Sequence, residues 1–188
     1  MRVATIKIKG ITPYSPSKAF TSEHREKESP EQFDIRCWKE HAHVDATGNI
    51  VLPSVSIGKA IVDSAAFLSK GGFLQKKGSS TWKENFERGL AISKSPTIGA
   101  TVDDMKAPEM IYAHADGNKK SGKRVWRRFP IFPEWSATLV IHVLDDSIPE
   151  SVFKQVMEAC GLFNGFGRYS PRVGGHNGRF VIEEFEIK

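Results

Sequence analysis

Residues 161–180, GLFNGFGRYSPRVGGHNGRF, gather the groups best suited to holding an anion. Gly165, Gly167, Gly174, Gly175 and Gly178 alternate with Arg168, Arg172 and Arg179, and Phe166, Tyr169 and Phe180 are interleaved. Glycine admits positive φ and lets the backbone approach a ligand. Successive exposed N–H groups form a concavity that attracts anions. Arginine matches phosphate with a planar fork, and an aromatic ring offers a base a stacking face. The spacing predicts a loop floored by exposed main-chain amides that holds a phosphate-bearing strand, with His176 also within reach of phosphate.

A second basic stretch is KKSGKRVWRR, residues 119–128, with six basic residues, one tryptophan and no acid. Lys119, Lys120, Lys123, Arg124 and Arg128 supply salt-dependent phosphate affinity, and Trp126 can stack a base. In a strand, Arg124, Trp126 and Arg128 share one face and Arg127 takes the other. A third candidate surface is the start of a helix at residue 54. Ser54 and Ser56 stand in its first turn with Lys59 close behind, where free N–H groups and the helix dipole favour an anion.

Catalytic and metal chemistry find less support. His24, His41, His43, His114, His176 and Asp34 are the candidates for a general acid or base. General acid–base work needs a positioned proton path, and nothing in their spacing supplies one. Cys37, His41, His43 and Asp45, with His24 as a further candidate, match no common zinc spacing. The expectation is binding without catalysis, metal or cofactor. His142, on a strand apolar on both faces, reads as structural.

The elements that must position these groups follow from periodicity. Residues 2–11 alternate, with Ala4, Ile6 and Ile8 on one face, and predict a half-buried strand. Residues 17–34 read as a loop, and 35–52 as a hairpin around the turn Asp45–Asn49. Ile57, Ile61, Ala65 and Leu68 define one face of a helix that Ser54 or Ser56 caps and Gly71-Gly72 stops. Thr81 and Glu84, then Ser147 and Glu150, have capping-box spacing ahead of two more helices. Residues 91–114 read as short strands, 116–123 as an exposed loop and 124–132 as a strand. Residues 135–144 predict a central strand covered on both faces, and 180–187 a closing strand.

The composition, 39% hydrophobic and 26% charged with net charge +5, excludes global disorder and allows a core. Two cysteines make no disulfide framework and fit a reducing compartment. The opening MRVATIKIKG lacks the apolar core of a signal peptide, and no apolar run is long enough to span a bilayer. A cytoplasmic protein without membrane contact is expected. The chain reads as one α+β domain, residues 1–188, with 17–50 and 91–130 as elaborations. Two strand–helix–strand units in one antiparallel sheet, helices on one face, predict a ferredoxin-like core with an inserted basic β-hairpin.

Three stretches give the chain a likeness to a known family. ITPYSPSKAF is similar to an opening strand running into a proline turn. GNIVLPSVSIGKAIVDSAAFL is similar to a pattern of strand, proline, small polar residues, lysine and first helix. NGFGRYSPRVGGHNGRF is similar to a glycine-rich loop after a late helix. In these the chain resembles the RAMP superfamily, the ferredoxin-like RNA-binding proteins of CRISPR systems, and most of all the backbone subunits that polymerise along guide RNA. The likeness covers both ends of the chain and leaves the middle unmatched. Pro53-Ser54-Val55-Ser56 lacks the glycine that often follows the proline, and the late loop carries extra glycines. The resemblance implies non-catalytic binding of single-stranded RNA, with Ser54, Ser56 and Lys59 against phosphates, and partners that are CRISPR-complex subunits or further copies along the strand. Three alternatives stay open. They are an anti-CRISPR or decoy protein that mimics a subunit, a phage protein that binds or anneals single-stranded DNA, and a RAMP-type endoribonuclease.

Overall fold

The computed structural model describes residues 1–74, 81–114 and 124–188. The chain opens with β1 (Arg2–Gly10), whose Ala4, Ile6 and Ile8 are fully buried while Thr5, Lys7 and Lys9 face solvent. The stretch expected to be loop then contains α1 (Pro30–Cys37). Its signal is a capping box: the Gln32 amide donates to Ser29 Oγ, and the Ser29 amide donates to Gln32 Oε1. Pro30 stands at the first helical position, where its missing N–H costs nothing. Read as a helix breaker, it hides the helix.

The turn at Asp45 forms as its residues predict, with Asp45 Oδ1 accepting from the amides of Thr47 and Asn49. Yet β2 (Asn49–Val51) takes a distant strand as its main partner, and only an isolated bridge joins Val44 to Ile50. Next comes α2 (Ser54–Lys70), which buries Ile57, Ile61, Ala65 and Leu68 as its periodicity requires and ends at Gly71. Neither serine caps it. Pro53 takes the cap position, and the Ser54 amide donates to Ser95 Oγ instead. After it stand α3 (Trp82–Gly89), β3 (Leu90–Ala91), β4 (Thr97–Thr101), β5 (Glu109–His114), β6 (Arg124–Phe129), β7 (Ser136–Val143), α4 (Glu150–Ala159) and β8 (Phe180–Ile187). The expected boxes at Thr81 and Ser147 do not close: Thr81 caps through backbone alone, and Pro149 displaces Ser147 from the cap position of α4.

Four strands form one antiparallel sheet in the order β3-β7-β1-β8. The chain passes from β1 to β3 through α2 and α3, and from β7 to β8 through α4, each time skipping one strand. β2 pairs with β4, and β5 with β6, as separate ribbons. Ala4, Ile6 and Ile8 join Leu139, Ile141 and Val143 of β7, Ile57 and Ile61 of α2, and Phe153 and Val156 of α4 in a single core. Burying a side chain of this size contributes about 1.5–3 kcal/mol, so this inner face holds the sheet to its helices.

The opposite face of the sheet is open, which corrects the expectation that β7 is covered on both sides. Val140 is 44% exposed and Thr138 and Ser136 are exposed beside it. The two polar residues mark a solvent face that the apolar run around them obscures. No helix among the described residues is long and apolar enough to cross a membrane.

Candidate nucleic-acid interface

At the end of α4 the helix widens into a π turn, Cys160–Asn164. Buried Asn164 donates from Nδ2 to Ser64 Oγ at 2.5 Å and to the Ala60 carbonyl at 3.1 Å, fixing this turn against α2. Gly165 then leaves with φ +62°, its amide donating to the Cys160 carbonyl. From here the glycine-rich loop folds back on itself and on the proline turn that follows β1. The Phe166 amide donates to Gly178 O at 2.9 Å, the Gly178 amide to Pro13 O at 2.7 Å and the Arg168 amide to Ser15 O at 2.7 Å. The amides of Gly174, Gly175 and Asn177 are paired within the loop, and that of Arg179 donates to Thr12 Oγ1.

These bonds overturn one expectation. Most of the loop's amides do not form an exposed floor, because each has a carbonyl or hydroxyl partner within the fold. The glycines serve this closure. At Gly178, φ is +73° and a Cβ would collide with the Phe166 carbonyl. At Gly167, φ is +82° and a Cβ would meet the Ser15 carbonyl at 2.5 Å. Positive φ and close backbone approach are both requirements of packing here.

The arginines divide in the same way. The Arg168 side chain is only 11% exposed. It donates to Glu109 Oε2 at 2.6 Å and Ser15 Oγ at 3.2 Å. Its guanidinium lies 3.7 Å from the centre of the Phe129 ring and 4.4 Å from that of Tyr169. Burial pulls its pKa down and Glu109 opposes that pull. Glu109 is 34% exposed, so the pair is only partly buried, but the Arg168 guanidinium itself is enclosed and its partners lie within the fold, so Arg168 is a fastener. Arg172 is 42% exposed and donates to Asp63 Oδ2 of α2 at 2.7 Å. An exposed pair is worth about 0–1 kcal/mol, and an incoming phosphate can take the place of Asp63. Arg179 donates from Nε to the Leu162 carbonyl. Gly174 is open to solvent, as are His176 and Tyr169, and Tyr169 adopts a left-handed φ of +53°.

The same fold brings the start of α2 to the loop. Ser56 and Lys59 are exposed, and no side chain caps the helix. A small hollow of about 50 Å³ lies where the three segments meet, lined in part by Ser17, His43, Pro53, Ser56 and Gly167. His43, a candidate for cleavage and metal binding by its residue type, lines this hollow instead. Burial, helped by the charge of Lys18, lowers its pKa and favours the neutral ring. The Val51 amide, donating to the His43 carbonyl across the turn at Asp45, sets it there.

The described part of the second basic stretch, from Arg124 on, falls in β6 of the β5–β6 hairpin. Lys119, Lys120 and Lys123 lie outside the described residues. Arg124, Trp126 and Arg128 do share a face, opposite His114, Tyr112 and Met110 in register. Tyr112 and Trp126 are 52% and 47% exposed with ring centres 5.3 Å apart. Tyr112 escaped the sequence reading because it lies across the hairpin from the basic run. Arg128 is half-buried: its amide donates to Asp34 Oδ2 at 2.8 Å, and its guanidinium reaches Asp34 and Glu31. Arg127, on the other face, donates to Asp34 Oδ1 at 3.1 Å. Asp34 is 1% exposed. That carboxylate, a candidate for cleavage chemistry on a loop, is instead the pin by which α1 holds the hairpin.

The histidines do not converge. His41 is buried between Phe20 and Phe129, with Nδ1 2.6 Å from the Lys18 carbonyl. His24 stacks on Phe33, and His176 is exposed in the loop. His142 is half-buried on the open face of the sheet, so the surroundings expected for it, apolar on both sides, are not those it has. Among the described residues no three His, Cys, Asp or Glu side chains come together as metal ligands. A scan against models of protein families finds no match to this chain, and a search of curated proteins finds none either.

Proposed function

We propose that this chain is a non-catalytic, RAMP-like protein that binds single-stranded RNA, built on a ferredoxin-like core. The strand order β3-β7-β1-β8, with two crossovers that each skip a strand, supports the ferredoxin-like reading. The observation that carries the functional reading is a convergence. The three stretches that bear the family resemblance are remote in sequence and adjacent in space: the loop's amides at Gly178 and Arg168 donate to Pro13 and Ser15, and Gly167 shares a hollow with Pro53 and Ser56.

The binding surface then runs over three neighbouring parts. Lys59 and Arg172 flank Asp63 on one side of α2 and meet the sugar–phosphate chain. The outer rim of the glycine loop, with Tyr169, Gly174 and His176, continues the path. Arg168 joins that rim to Glu109 at the base of the hairpin; farther along, Tyr112 and Trp126 present rings to bases, and Arg124 adds charge at the end away from Glu109. Stacking of this kind is tolerant of sequence and worth about 1–3 kcal/mol per base. Contacts to phosphate make affinity fall with salt.

Fluorescence anisotropy with labelled single-stranded RNA and DNA of one sequence, across a salt series, tests the reading. Saturable binding that favours RNA and weakens with salt is expected; no binding to either at low salt refutes it. A second reading has its own observation. Phe67 and Phe163 are both exposed, their ring centres 5.5 Å apart, on the helix layer. Such a pair favours protein contacts, as in a chain that joins or blocks a CRISPR complex. Co-purification of CRISPR subunits without RNA is the outcome that selects it.

A further inference from the structure

The open face of the sheet carries a cleft that the proposed RNA surface does not use. β3 pairs with β7 at only two positions, Leu90 with Val143 and Ala91 with His142. The chain then swings away until β4 begins at Thr97. The departure leaves a cleft of about 670 Å³ between residues 93–97 and β7, with Lys7 of β1 beside Thr138. That is the size of a bound small molecule, well above what a few waters occupy.

Its chemistry is one-sided. Ser93, Thr97, Ser136 and Thr138 bring hydroxyls, and Lys7 and Lys94 bring ammonium groups. Val140 gives an apolar wall and His142 an imidazole. Among the described residues no carboxylate lines the cleft, in a chain with 22 acidic residues. Lys7 does meet Glu184 at 3.1 Å and Glu183 at 3.9 Å, but these are solvent-exposed pairs that a bound anion can displace. Near Ser136 and Gly99 the cleft meets a second hollow of about 440 Å³, where Glu134 and Glu183 stand with Lys9. Charge therefore runs from cationic at Lys7 and Lys94 to mixed beyond Ser136.

We propose that this cleft binds a small phosphomonoester on a hydroxyl-rich carrier, with the phosphate at Lys7 and Lys94 and the carrier's hydroxyls against Ser136 and Thr138. The ammonium groups match the phosphate dianion. The side-chain hydroxyls exchange hydrogen bonds with those of a sugar. The carrier is a nucleoside or a free sugar, and the two are separable by experiment. The site is independent of the RNA surface, which lies on the glycine loop, α2 and the hairpin.

Isothermal titration of the full chain with adenosine monophosphate, ribose 5-phosphate and adenosine provides the test. Saturable binding of at least one phosphate ester is expected, with adenosine failing to bind. Lys94→Ala and Thr138→Val, both at exposed positions, should each weaken it, the lysine change by about tenfold or more. Both variants should melt like the parent and keep their RNA affinity, and Trp126→Ala should leave the titration unchanged. Tighter binding of the monophosphate assigns a nucleotide, and equal binding assigns the sugar phosphate. Three results overturn the proposal: no saturable binding of either ester, binding that both cleft variants leave intact, or a cleft that responds only to an oligonucleotide.

Discussion

The glycine-rich loop and the β5–β6 hairpin look alike in sequence, each combining arginines with aromatic residues, and they differ in what those groups face. In the loop, amides and guanidinium are turned inward: Arg168 lies under Tyr169 with Glu109 and Ser15, and the amides close on Pro13, Ser15 and Gly178. In the hairpin, Arg127 and Arg128 reach Asp34 of α1 from opposite faces, while Tyr112 and Trp126 stand exposed to solvent. Arginine next to an aromatic ring is thus no measure of availability. What decides is whether a carboxylate from another element meets a guanidinium that is itself buried, where leaving it unpaired becomes costly. Glu109 does this to Arg168; Asp63 meets Arg172 at the surface and leaves it exchangeable.

Changes at the inward groups should have the largest effects, and on stability. Arg168→Ala, which leaves the partly exposed Glu109, should destabilise the fold by less than Asp34→Ala, which should cost about 3–5 kcal/mol. In a chain of this size that is a fall in Tm of about 10 °C, read by circular dichroism. Melting within a degree or two of the parent would erase the distinction between the two regions. Next in size are Tyr112→Ala and Trp126→Ala, each expected to weaken RNA by about 1–3 kcal/mol in anisotropy with Tm unchanged. A fall in Tm with intact affinity would reverse the roles assigned to the hairpin's rings and its arginines. Arg172→Ala should cost less, and should reduce the slope of log affinity against log salt by about 0.7, one phosphate contact to a single strand.

The smallest effect concerns pH and the segment before α2. Hydrogen bonds from Ser22 and Thr21 hold Glu40 down to about 2, and Arg36, with the Arg25 amide, holds Glu28 down to about 2. Asp45, bonded by Thr47 and Asn49, is likewise held down to about 2. All three lie below their ordinary values. The stability they lend is therefore full above about pH 4.5 and lost as the pH falls through about 2. Urea midpoints should drop between pH 6 and pH 3, and Glu40→Gln should flatten the drop. A midpoint that rises on acidification would contradict these assignments.

Much of this was legible in the residues and some was not, for physical reasons. β1, α2, α4 and β8 follow from periodicity because each buries one face, as Ala4, Ile6 and Ile8 or Ile57, Ile61 and Ala65 show. α1 stayed hidden behind Pro30, and the caps expected of Ser54 or Ser56 and of Ser147 failed because a proline took the position. The glycine loop announced itself, but its closure depends on the Arg168 and Gly178 amides finding carbonyls more than 100 residues away in sequence. Tyr112, Glu109, Asp63 and His43 were out of reach for the same reason: their importance arises only when distant segments meet.

The most direct test of the central claim is salt-dependent anisotropy of labelled single-stranded RNA on the parent chain and on Trp126→Ala combined with Arg172→Ala. The account predicts tight, salt-sensitive binding by the parent and, in the double variant, a loss of more than tenfold with an unchanged melting curve. Equal affinity in the two proteins, or a parent that ignores RNA at low salt, would contradict it.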